Sequence, residues 1–158
     1  MSYEDLLADG RLERATSGPQ DVEAQLSLAR RDIATARELV DTGPDWAYAI
    51  AYNGLLQAAR GLIFARGYRP LGPHQHLTAI QCLAGEKLDS QLLLRADRMR
   101  RRRHRVVYEQ AGTVSRADAA AAIATAEEIV GLIEGYLLGP GDSGEPDRTG
   151  DDPSGMRA

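Results

Sequence analysis

Four stretches of this chain repeat apolar side chains at alternating three- and four-residue intervals, and Gly- or Pro-bearing breaks stand between them. That period marks one buried stripe on an α-helix, so it commits the chain to helices that hide their stripes against one another. The first stretch follows Ser17-Gly-Pro-Gln20, a capping-type start with Pro19 where a missing N–H does no harm. Over residues 19–40 it carries Val22, Leu26, Ala29, Ile33, Ala36 and Val40 in phase, with Arg30, Arg31, Asp32 and Arg37 on the other face. Thr42-Gly43-Pro44 stops it.

The second stretch, about 45–65, is apolar over more than half its circumference through Trp46, Ala49, Ile50, Tyr52, Leu55, Leu56, Ala59, Leu62 and Ile63. It is expected to be the most buried helix. Asn53 among these reads as a satisfied interior amide or as part of a polar site. Gly67 ends the helix, residues 68–73 read as a loop of turn residues, and a short helix follows at about 74–83. The third long helix is expected over about 88–110 and is broken by Ala111-Gly112-Thr113-Val114. Ser115-Arg-Ala-Asp118 opens the fourth, which carries Ala119, Ile123, Ala126, Val130, Ile133 and Leu137 in phase, with Glu127, Glu128 and Glu134 outside. It ends at Gly139-Pro140.

A further short helix is expected near residues 3–8, ended by Gly10. The fold expected is all-α: an up-and-down antiparallel bundle of four long helices plus a short one, in one domain. Residues 1–18 form an N-terminal extension, 19–138 the bundle, and 139–158 a disordered tail whose Gly, Asp and Pro content buries little. Cys82, the single cysteine, excludes an internal disulfide and a thiolate metal cage and reads as a small buried hydrophobe. No run is long and apolar enough to span a membrane, and Met1-Ser-Tyr-Glu-Asp5 lacks the form of a signal peptide, so a cytoplasmic protein is expected.

The third helix holds the chemistry. Between Arg95 and Arg105 lie Arg98, Arg100, Arg101, Arg102, Arg103 and His104, in a chain of formal charge -4. Anion binding must therefore be local to this cluster. Along the stripe Leu92, Ala96, Met99, Arg103, Val106, the arginine at 103 occupies an apolar position, where a charge is costly without a partner. Crowded like charges also weaken the helix. An anion relieves both costs, and a guanidinium fork suits phosphate. Nucleic acid is the expected partner, with Arg100, Arg101, Arg102 and Arg105 as backbone contacts.

Other chemistries find no motif: no Gly-x-Ser-x-Gly elbow, no phosphate loop ahead of a lysine, no His-Glu-x-x-His. His74 and His76 point to different sides of a helix and lack an acidic or cysteine partner at ligand spacing, so neither metal nor other cofactor is expected; His76 reads as a residue closing the helix start. The loop before the arginine helix does not suit a helix-turn-helix reader.

The run from Asp45 to Arg60, the Gly67-Tyr-Arg-Pro70 loop leading to His76, and the run from Asp97 to Tyr108 together resemble the HEPN-domain family over roughly residues 21–138. The resemblance implies a helical bundle, often dimeric. It also implies RNA as partner, in many members with metal-independent endoribonuclease activity, including toxins paired with nucleotidyltransferase-type antitoxins; other members bind nucleic acid, nucleotides or proteins without cutting. The family's signature is an arginine, often followed by a polar residue, with a histidine four to six positions on. Two registers compete. Arg98 to His104 fits the spacing literally; Arg103 followed by His104 fits the Arg-polar start and the apolar phase, and puts Tyr108 where the histidine belongs. The second is favoured. Arg103, His104, Tyr108 and Arg98 are thus the candidate catalytic residues. Metal-free RNA cleavage needs the 2′-hydroxyl deprotonated, the leaving oxygen protonated and phosphate charge stabilised. Histidine suits the first two tasks and arginine the third. Tyrosine is a poor base at neutral pH but can donate a hydrogen bond or stack on a base.

Overall fold

The computed structural model describes residues 1–108 and 112–138, with 107 and 108 given by their backbone alone. The expected disordered tail, 139–158, lies outside the described residues. Four long helices make the bundle: α2 (Pro19–Leu39), α3 (Pro44–Ala65), α5 (Ser90–Tyr108) and α6 (Arg116–Leu138); α1 (Tyr3–Ala8) and α4 (Gln75–Ala84) are short. The all-α bundle read from the sequence is the fold observed.

α3 is its axis, packed against α2, α4, α5 and α6. It buries thirteen residues from Ala47 to Ile63. The seam with α2 is built on small residues. A Cβ at Gly54 would stand 3.0 Å from Ile33 Cγ1 and 3.1 Å from the Ala29 carbonyl oxygen, so any side chain here must push the seam apart by a few tenths of an ångström. Gly54→Val is therefore expected to lower the unfolding free energy by about 1–3 kcal/mol, as overpacking of a filled core does. Urea denaturation reads this as a lower midpoint at unchanged slope; an unmoved midpoint would show that the seam yields freely.

α6 closes the bundle through its Ala- and Ile-rich stripe, with Ala119, Ala126, Ile129 and Ile133 fully buried. Its glutamates lie outside, as the phase requires, and reach across to other helices: Arg37 to Glu127 at 2.5 Å and Arg30 to Glu134 at 2.8 Å from α2, and Arg95 to Glu128 at 3.5 Å from α5. Such exposed pairs set alignment more than stability. The capping signal at Ser115 is real, because Ser115 Oγ accepts from the Asp118 N–H at 3.0 Å. At Ser17 it is displaced: Gly18 is the cap residue, its N–H donating to the Asp21 carboxylate at 2.9 Å.

Four features depart from the sequence reading. Residues 68–73, expected as a loop, begin with a strand, β2 (Tyr68–Pro70), that pairs antiparallel with β1 (Leu12–Arg14). Leu6 and Leu12, in the expected extension, are buried in the same core as the bundle. Trp46, counted on the buried face of α3, is 67% exposed. Asp32, placed on the outer face of α2, is buried and held by Arg31 at 2.9 Å.

No helix among the described residues is long and apolar enough to cross a membrane. Cys82 is buried, and burial pushes its thiol pKa up to about 12, which suits a packing role.

Candidate functional site

α5 carries the apolar stripe expected of it. Leu92 and Ala96 are fully buried, Met99 and Val106 nearly so, and Arg103 occupies the turn between the last two. Position 103 thus points a guanidinium toward the bundle. It meets α3 there. Tyr48 and Tyr52, one turn apart on α3 and both buried, receive consecutive arginines: the Arg102 guanidinium carbon lies 5.4 Å from the Tyr48 ring centre, and that of Arg103 lies 5.9 Å from the Tyr52 ring centre. Each aromatic face meets a half-buried cation.

The two arginines then part. Arg102 turns toward α6, donating to the Asp118 carboxylate at 2.8 Å and to the Thr113 carbonyl at 3.3 Å. The first of these bonds holds the Asp118 carboxyl below the usual carboxylate range. Arg103 turns the other way, toward α4. Its Nε is buried without an acceptor, and among the described residues no carboxylate pairs with it. A buried donor left unmade costs about 1–3 kcal/mol, and more when charged.

On that side a cleft of about 750 Å³ opens between the start of α4 and the last turns of α5. Pro73, His74, His76 and Leu77 line one wall, and Arg100, Arg101, Arg103, His104 and Arg105 the other. Among the described residues one carboxylate tempers it. Asp97 binds Arg100 at 2.9 Å and Arg101 at 2.5 Å, and although burial works against ionisation, these two bonds keep its carboxyl below the ordinary value. One negative charge facing four guanidiniums leaves the cleft strongly positive.

His76 faces this charge from α4. Its Nδ1 lies 3.2 Å from the Tyr52 hydroxyl, beneath the Arg103 guanidinium. Burial first, then the charges of Arg103, Arg60 and Arg100, hold its pKa below the ordinary imidazole value, so the ring is neutral at pH 7. Burial pushes the Tyr52 hydroxyl up to about 12, against the pull of the same arginines, so it keeps its proton.

Of the residues singled out in the sequence, Arg100, Arg101, Arg103, His104 and Arg105 are brought together here. Arg98 and Arg102 are not: with Tyr48, Arg95 and Asp118 they line a separate hollow of about 190 Å³ between α5 and α6. The Arg98–His104 spacing therefore joins residues on different sides of α5, whereas Arg103 and His104 share one cleft. Tyr108 ends α5, and its side chain lies outside the described residues. The sequence alone marks His76 as a residue closing the helix start and as the end of the loop that carries the family resemblance, and Tyr52 as part of a buried stripe; neither is singled out as a site residue. The usable signal was the loop of turn residues carrying His76 back to the arginine helix. Among the described residues no group of three His, Cys, Asp or Glu side chains could hold a metal ion.

A family model, the HEPN domain, matches residues 22–136. The chain belongs to the HEPN family. Among solved structures, the crystal structure of TT1696 from Thermus thermophilus superposes with a TM-score of 0.61 at 22% identity, covering 73% of this chain and 98% of that one. That likeness concerns the fold. No curated protein matches. In this HEPN domain Arg103 and His104 both line the cleft, whereas Arg98 lies in the other hollow.

Proposed function

We propose that this HEPN protein binds RNA by its phosphate backbone in the α4–α5 cleft and cuts it as a metal-independent endoribonuclease. Arg103 carries the reading: a cation pinned between a buried tyrosine and an open positive cleft, with a buried Nε that lacks an acceptor. A phosphodiester brought into the cleft supplies the anion that the protein withholds from this side chain. Arg100, Arg101 and Arg105 extend the grip along the strand, and His104 is placed to handle a proton. Arginines alone read backbone, so selectivity for a particular RNA must come from elsewhere. A homodimer, cytoplasmic residence and a nucleotidyltransferase-type antitoxin as partner belong to this same proposal.

A second reading is binding without cleavage, and the register that starts at Arg103 favours it, because its histidine position then holds Tyr108, a poor proton acceptor at neutral pH. Incubation of the protein with end-labelled single-stranded RNA in EDTA separates the two. Cleavage is expected, with fragments ending in 2′,3′-cyclic phosphate. Bound RNA should also respond to salt: with about three or four phosphates held by the cleft arginines, log Kobs should fall against log salt with a slope of about -2 to -3. Binding with that slope and intact RNA would select the second reading. An RNA that neither binds nor breaks would end both.

A further inference from the structure

A metal-free cut at the 2′-hydroxyl needs one group to take a proton and another to return one. The α5 helix offers His104 alone for both tasks. The opposite wall of the cleft offers two more imidazoles, His74 and His76, and the second of them is held by Tyr52. Resting on the ribonuclease reading, we propose that His76 of α4 is the proton acceptor of the reaction, with Tyr52 as its positioning residue, in place of the histidine that position 108 lacks.

The geometry is that of a base held from behind. Tyr52 is fully buried, so its hydroxyl is a fixed point, and His76 Nδ1 lies 3.2 Å from it. The 3.2 Å contact admits either direction; in the tautomer that this role requires, Nδ1–H donates to the phenolic oxygen, so that Nε2 carries the free lone pair, and the ring lines the cleft that Arg103 also lines. An orienting partner on one nitrogen and an accepting lone pair on the other is the arrangement a histidine base requires. Arg103 lies over the same tyrosine, so base and phosphate-binding cation are referenced to one rigid ring. The depressed pKa of His76 agrees with this role, since the imidazole is already neutral at working pH.

The step balances without any further reagent. Nε2 takes the proton of the 2′-hydroxyl, and the 2′-oxygen attacks the adjacent phosphorus. The new P–O2′ bond forms as the P–O5′ bond breaks. The leaving 5′-oxygen takes a proton from His104 in its charged form, giving a 2′,3′-cyclic phosphate and a 5′-hydroxyl end.

The test compares wild type with His76→Gln, His76→Ala and Tyr52→Phe on single-stranded RNA, with 2′-O-methyl RNA of the same sequence as a ligand that cannot be cut. Loss of the base is expected to slow cleavage by about 10²–10⁴-fold. Affinity for the methylated RNA should stay at the wild-type value, the thermal midpoint should fall no further than in Tyr52→Phe, which breaks the same hydrogen bond, and added imidazole should restore part of the His76→Ala rate. Tyr52→Phe should slow the reaction less, through a looser ring. Wild-type rates in His76→Gln, beside an inactive Arg103→Gln, would overturn the assignment and leave the ribonuclease reading standing. A slow His76→Ala that imidazole does not rescue, with weakened RNA binding or a midpoint well below that of Tyr52→Phe, would make His76 structural and likewise overturn it. If the wild type binds RNA and never cuts it, the ribonuclease reading falls and takes this inference with it.

Discussion

Replacing Arg103 with glutamine is expected to lower kcat/KM for RNA cleavage by roughly 10²–10³-fold, the usual cost of removing one charge-stabilising donor from a reacting centre. Glutamine keeps the stem as far as Cδ and some hydrogen bonding, so the apolar seam of Met99 and Val106 around it stays filled. What goes is the cation over Tyr52 and the fork aimed at phosphate. Lysine should recover part of the binding and little of the rate, because a point charge on a flexible stem does not reproduce planar bidentate contact. The informative contrast is Arg102→Gln. That neighbour is spent on Asp118 and the Thr113 carbonyl and lines the other hollow, so its loss should touch stability and leave cleavage within about threefold. Steady-state kinetics on the three variants decides it. Equal losses at 102 and 103 would mean that charge density, and not the α4–α5 cleft, governs the reaction.

Truncating Tyr52 to alanine should lower the unfolding free energy by about 3–5 kcal/mol, the range for deleting a fully buried aromatic ring. Against a typical total of about 5–15 kcal/mol this is a large fraction of the stability. The ring is buried completely, in the helix that every other long helix touches, and supports both Arg103 and His76. Tyr52→Phe removes only a hydroxyl contact to a half-buried imidazole and should cost about 0.5–1.5 kcal/mol. Chemical denaturation followed by circular dichroism gives both numbers. A loss below about 1 kcal/mol for the alanine variant, well under the usual range, would show that the core closes over the gap.

Much of this fold was written in periodicity. The stripes of α2, α5 and α6 and the breaks between them depend only on residues near in sequence, so the helices could be read from the chain. Long-range matches could not. β1 and β2 are three residues each, too short for an alternating pattern to stand out, and their pairing joins Leu12 to Pro70 across the whole of α2 and α3. Trp46 looked buried because the apolar arc of α3 is wider than its partners cover, and nothing local says where coverage stops. At the site, the apolar phase singled out Arg103 because a charge in a stripe is conspicuous. That Arg102 and Arg103 leave α5 in opposite directions could not be read, since it depends on Asp118 standing on one side and His76 on the other. His76 was visible as a residue, but its partnership with Tyr52 spans 24 positions and two helices.

Arg11, just before β1, donates through Nε and NH2 to the Thr78 hydroxyl of α4 at 3.2 and 3.0 Å, and its carbonyl accepts from the Leu71 N–H at 2.9 Å. Thr78 is buried and sits two residues beyond His76. The histidine wall of the cleft therefore hangs from a peg near the start of the chain, ahead of the stretch from 22 onward that matches the family model. A segment upstream of that matched stretch thus joins α3 and α5 in fixing where α4 stands, as a hinge post shares in holding a door.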